Sequence, residues 1–192
     1  MDRHAGSWTI PMTWFQSLNP LLVIGMTPLL LMHWRRRADV GRESSPARRM
    51  AIGALIVAVA YLVLAFLSAS TGVERASWVW LVVFFVIFTL GELFILPTGL
   101  GLFARLAPPR LGATTVAAWF LATFSGSLLA GVVGTLWSRA SHAGFFGLLA
   151  VLATAAALLL WLLDRPIRKV ETTRLVSREP ALAEPDQPRQ LC

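Results

Sequence analysis

Five long apolar blocks, separated by shorter polar connections, set the pattern of this chain. They run approximately over Ile10–Trp34, Met50–Ser70, Trp78–Leu106, Ala113–Trp137 and Ala143–Leu163. A helix rises 1.5 Å per residue, so about 20 apolar residues cross the roughly 30 Å of hydrocarbon in a bilayer. Each block is long enough to do so. Its apolar residues form continuous runs instead of the periodic stripe of a soluble amphipathic helix. The pattern therefore predicts an all-α, polytopic membrane protein with five transmembrane helices. Residues 1–9 form an N-terminal segment, residues 10–170 the membrane region, and residues 171–192, polar and Pro-bearing, a disordered tail. The connections are short except for "RRRADVGRESSPARR" between the first two blocks.

Composition agrees with insertion. Of the 192 residues, 56% are hydrophobic and only 14% charged, against about a quarter charged in soluble domains, and mean hydropathy is +0.67. The single cysteine, Cys192, excludes an intrachain disulfide. The start "MDRHAGSWTIPM" lacks the charged stretch, short apolar core and cleavage site of a signal peptide.

A net charge of +7 raises the question of nucleic acid, and the placement of the arginines answers it. With the N-terminus outside, the inner connections hold Arg35, Arg36, Arg37, Arg42, Arg48, Arg49, Arg105 and Arg110, and the C-terminal segment adds Arg165, Arg168 and Lys169. The outer side holds Arg3, Arg75 and Arg139. This alternation follows the positive-inside rule for five spans and places the C-terminus in the cytoplasm. The basic cluster reads as a topology determinant beside anionic lipid, with no nucleic-acid partner. Trp8, Trp14, Trp34, Trp78, Trp80, Trp137 and Trp161 lie near span ends, where amphipathic rings settle at the headgroup level. Trp119 alone lies deeper.

Between Arg75 and Arg105 the chain carries one charge, Glu92, about fourteen residues into the third block. A carboxylate at mid-depth costs about 2.5–3.5 kcal/mol on insertion scales, so it faces a bundle interior or a watery cavity. It suits proton carrying or ammonium binding; the alternative is a structural carboxylate tied to a neighbouring helix. Thr89 and Gly99, three residues before and seven after, share its helical face. Pro97, among Gly91, Gly99 and Gly101, marks either a moving kink or a static one. In "WFQSLNPLLVIGMTP", Pro20 frees a backbone carbonyl, and Asn19 either stabilises that kink or reaches a ligand. In "AAWFLATFSGSLLAGVVG", Gly126, Ala130 and Gly134 have the small-xxx-small spacing of a helix-packing face. Trp119 and Thr123 share one face there, and Trp119 is either core or pocket wall.

His4, His33 and His142 have no second metal-type ligand at helical spacing, so no metal site is expected. No phosphate loop or nucleophile–base arrangement is present, so no enzyme and no cofactor are expected.

Taken in order, "FQSLNPLLVIGMTPLL", "GELFILPTGLGLFARLAPPR" and "WFLATFSGSLLAG" resemble the proton-dependent oligopeptide transporters, within the major facilitator fold. The resemblance runs from about Ile10 to Leu163, in register with the last five helices of that family. It implies a partial C-terminal bundle of a proton-coupled di/tripeptide symporter in the cell membrane, with protons as the coupling ion. Asn19 and Glu92 fall where family members hold the peptide's amino terminus. Trp119 falls on a pocket-lining aromatic with Thr123 on the same wall. Independently of the resemblance, Pro20, Pro97 and Gly99 are the candidate kink or gating positions by residue type. "TVAAW", Ser127–Leu128, Gly101 and Arg49 depart from the family pattern and bear on substrate preference. Family members place the site between two six-helix bundles. The expected partners are therefore small peptides, membrane lipid and an N-terminal bundle encoded upstream or separately. The rival expectation is a truncated, non-transporting membrane remnant or a split-transporter subunit.

Overall fold

The computed structural model describes the backbone of residues 4–5, 8–9, 12–39, 45–70, 78–107 and 111–182, and the side chains of residues 17–36, 39, 45–70, 78–104, 107 and 111–167. Five helices follow one another: α1 (Met12–Asp39), α2 (Pro46–Ser70), α3 (Trp78–Leu106), α4 (Gly112–Gly134) and α5 (His142–Leu182). A 3-10 turn at Thr135–Ser138 prolongs α4. Before α1, the two-residue strands β1 (His4–Ala5) and β2 (Trp8–Thr9) pair antiparallel. All five helices contain stretches long and apolar enough to cross a membrane: Ser17–Arg36, Pro46–Ser70, Trp78–Ala104, Gly112–Ser138 and His142–Ile167.

Helix ends follow local chemistry more than the edges of the apolar blocks. The second helix begins four residues before the expected Met50. Ser45 caps it: its hydroxyl accepts from the Arg48 amide at 3.3 Å, and its carbonyl accepts from the Arg49 amide at 3.0 Å. Pro46 takes the first helical position, where a missing N–H leaves no partner wanting. The Ser45 hydroxyl also donates to the carboxylate of Asp164, tying the start of α2 to α5. Ser141 caps α5 in the same way, accepting from the Gly144 amide at 3.1 Å. The fifth helix continues through Glu171 to Leu182, so the expected change to a disordered tail at Glu171 is not observed over residues 171–182. Once an apolar span has nucleated a helix, each added residue extends it at little cost, and polar residues can carry it out of the membrane.

Packing relies on small side chains. Ala47, Ala51, Ala54, Ala58 and Ala60 of α2 are buried, as are Ala150 and Ala157, two turns apart on α5. Helices in lipid gain no hydrophobic drive toward each other, and small residues allow the close van der Waals approach that holds them. At the α2–α3 crossing the approach is closest. A Cβ on Gly53 would sit 2.8 Å from the Gly91 carbonyl oxygen, and one on Gly91 would sit 2.8 Å from the Gly53 carbonyl oxygen. Helix α2 lies between α3 and α5. Helix α3 touches each of the other four helices, which makes the Glu92-bearing helix the hub of the bundle.

Helix α4 departs from expectation. None of its residues is buried, and it rests on α3. The small-residue face at Gly126, Ala130 and Gly134 was expected to receive a neighbouring helix. Instead, nothing lies within 4 Å of the Cβ position of Gly126 or Gly134 among the described residues.

Candidate functional site

The site forms where α1 and α3 meet. The Asn19 side chain reaches across to α3 and donates from Nδ2 to Oε2 of Glu92 at 3.1 Å. The Thr89 hydroxyl, one turn before Glu92, donates to Oδ1 of the same amide at 2.8 Å. Thr89 is fully buried, at 0% exposure. The three side chains thus form a directed chain: hydroxyl to amide oxygen, amide N–H to carboxylate. Among the described residues no cationic side chain pairs with Glu92. Its partner is a neutral amide, and the residue remains partly exposed. A carboxylate so placed has acceptor positions to spare.

Aromatic rings line the same helix on either side. Toward the start of α3, Phe84 and Phe88 stack at 5.5 Å, and Tyr61 of α2 packs on both, at 5.6 and 5.9 Å. Phe88 is one turn before Glu92 on α3. Toward the end of α3, the Trp119 ring packs on Phe103 at 5.3 Å and covers Gly99. Gly99 lies seven residues beyond Glu92 on the same face, about 10 Å along the axis at 1.5 Å per residue. The carboxylate therefore sits between two aromatic groups.

The residues singled out from sequence divide accordingly. Asn19 and Glu92 are in direct contact, and Gly99 and Trp119 are in direct contact two turns along. Thr123 is not drawn into the group by a hydrogen bond: its hydroxyl donates to the Trp119 carbonyl of its own helix at 3.0 Å, and the side chain is exposed. Ser125 and Ser127 bond back to their own helix likewise, a habit of hydroxyls with no outside partner. Pro20 and Pro97 lie inside continuous helices, so neither breaks its span. Beside Pro97, the Thr98 hydroxyl is buried without a hydrogen-bond partner among the described residues. Sequence reading placed Thr89 on the Glu92 face without its bond to Asn19. It passed over Tyr61, whose signal was available, since a lone phenol midway along an apolar span calls for a polar neighbour. Gln16, beside this group in sequence, lies outside the described side chains, as do Trp8, Trp14 and Arg105.

Comparison with known proteins matches the chain to one family. The family model described as PTR2, POT family, matches residues 1–152. A di-/tripeptide transporter of Lactococcus lactis subsp. cremoris is 27% identical over 159 residues, covering 82% of this chain and 32% of the relative. The peptide transporter YePEPT of Yersinia enterocolitica subsp. palearctica is 32% identical over 184 residues, covering 88% and 34%. A crystal structure of a peptide transporter POT in complex with sulfate superposes with a TM-score of 0.80 at 25% identity, covering 88% of this chain and 34% of that one. The chain spans about a third of the length of the relatives it matches. With a family model covering most of its residues and five matching membrane helices, the chain belongs to the POT family.

Proposed function

We propose that this chain contributes the helices that receive a peptide's amino terminus in a proton-coupled di/tripeptide symporter. Asn19 and Glu92 grip the ammonium, and Trp119 shapes the pocket below. One observation carries this reading: Glu92 is held by the neutral amide of Asn19 at 3.1 Å and by no cation among the described residues. A peptide ammonium supplies the missing positive charge, and charge-assisted hydrogen bonds of this kind are about twice as strong as neutral ones. A proton on Glu92 and an ammonium beside it would exclude each other, so the proton that travels with the peptide is carried by another group of the complete transporter. Transport requires two bodies that rock about the site, so the chain works with a second bundle, encoded upstream or separately. The bundle lies in the cell membrane with its N-terminus outside and its C-terminus in the cytoplasm, as the arginine distribution favours.

The test is uptake of labelled dialanine by cells lacking their own peptide transporters. One strain carries the chain alone. Another carries a chimera in which it replaces the matched third of the Yersinia relative. Proton-dependent uptake by the chimera, lost in Glu92→Gln and weakened in Asn19→Ala, supports the proposal. Uptake unaffected by either substitution removes both residues from the site. Absence of uptake from a chimera that reaches the membrane favours the non-transporting reading.

A further inference from the structure

The orientation of the Asn19 amide carries a consequence for recognition. Its oxygen accepts from Thr89 at 2.8 Å, so its N–H, and not its oxygen, faces Glu92 at 3.1 Å. An ammonium offers only donors, and the face of Asn19 turned toward the carboxylate is itself a donor. In this arrangement the amide N–H occupies an acceptor position on Glu92 that the ammonium would use.

We propose that Asn19 is a flipping amide, and that Thr89 is the positioning residue that makes both of its orientations tolerable. This rests on the peptide reading above. In the empty site the Thr89 hydroxyl donates to Oδ1, and Nδ2 covers the carboxylate. When a primary ammonium arrives, the amide turns half a revolution about its terminal torsion. Oδ1 then faces the ammonium beside Glu92, and Nδ2 donates to the Thr89 oxygen. A hydroxyl can serve in both states because it both donates and accepts. Turned without a ligand, Oδ1 would face the Glu92 oxygen, acceptor against acceptor, so the flip requires a donor between them. The device thus recognises a free amino group and rests closed without one. Burial of Thr89, at 0% exposure, removes water as a substitute partner and makes its hydroxyl the decisive group.

Asn19 is the sole asparagine in the sequence, so the full chain labelled with 15N-asparagine gives one side-chain amide pair. The experiment pairs the labelled chain with an unlabelled second bundle in nanodiscs and follows that amide pair as dialanine or N-acetyl-dialanine is added, in wild type, Thr89→Ser and Thr89→Val. Expected are a shift with dialanine and none with the acetylated peptide. Thr89→Ser is expected to behave as wild type. Thr89→Val is expected to weaken dialanine binding about tenfold, as a buried amide end left without a partner implies, and to change the resting amide signal. If wild type responds and Thr89→Val responds equally, the flip is wrong and the peptide site stands. If wild type ignores dialanine, the peptide reading fails and the flip goes with it. A failure of Thr89→Val to fold is recognised by loss of the dispersed spectrum. Thr89→Cys, which exchanges the hydroxyl for a weak donor and gives up the methyl group, then takes its place, with dialanine affinity equal to wild type as the contrary result.

Discussion

Trp119 of α4 occupies the space that a Cβ on Gly99 of α3 would fill. The indole can lie there only because position 99 has no side chain. Together with the packing of Trp119 on Phe103, this contact holds α4 to α3, since α4 has no buried residue of its own and rests on α3. Gly99→Ala is therefore expected to destabilise the bundle by about 1–3 kcal/mol through overpacking. Adding Trp119→Leu should recover most of the loss, because a smaller side chain leaves room for the methyl group. Unfolding in mixed detergent micelles measures both. Equal stability of Gly99→Ala and wild type would show that Trp119 does not rest on Gly99.

The Gly53–Gly91 crossing makes a sharper demand. The atoms nearest to either added Cβ include the partner's backbone carbonyl oxygen at 2.8 Å, which cannot rotate aside as a side chain can. Gly91→Ala should separate α2 from α3 and cost about 1–3 kcal/mol. It should also weaken dipeptide binding, because Glu92 is the next residue. Gly126→Ala, with open space at its Cβ position, is the matched control and should stay within about 1 kcal/mol of wild type. Thermal unfolding of the two variants side by side distinguishes a packing glycine from a free one.

Close to this crossing, Trp34 lies between a cation and a ring. The Arg49 guanidinium stands 5.1 Å from the Trp34 ring centroid, and Phe94 meets that ring edge-on at 5.5 Å. The stack joins α1, α2 and α3 two residues beyond Glu92. Arg49→Lys keeps a cation over the ring and should change stability little. Arg49→Gln should lose about 0.5–2 kcal/mol, measured by the same unfolding assay. A loss equal for lysine and glutamine would show that the guanidinium acts through something other than its charge on Trp34.

How much of this was legible in the sequence depends on what each feature needs. The five spans need only length and apolarity, which are written along the chain, and the structure bears them out. A lone Glu92 in an apolar run announces an interior position by its cost in lipid. The spacing of Thr89 and Gly99 from Glu92 also placed both on its face, where Thr89 bonds Asn19 and Gly99 receives Trp119. Features that need a partner from another helix were hidden. Gly53 is unremarkable within α2 until Gly91 is set against it, whereas Gly126 and Gly134 have the packing spacing and meet no helix among the described residues. Thr123 shares a face with Trp119, yet its hydroxyl is taken by its own backbone. The direction of the Asn19 amide is a property of three side chains together, and no one-dimensional pattern encodes it.

The central claim is that Glu92 meets the charged amino end of a peptide. Equilibrium binding of dialanine and N-acetyl-dialanine to the wild-type chain and to Glu92→Gln, paired with its second bundle in nanodiscs, tests it directly. Wild type should favour the free amine at least about tenfold, as a charge-assisted hydrogen bond worth about 1.5–3 kcal/mol implies, and Glu92→Gln should bind both peptides alike. The same tenfold preference persisting in Glu92→Gln would contradict the claim.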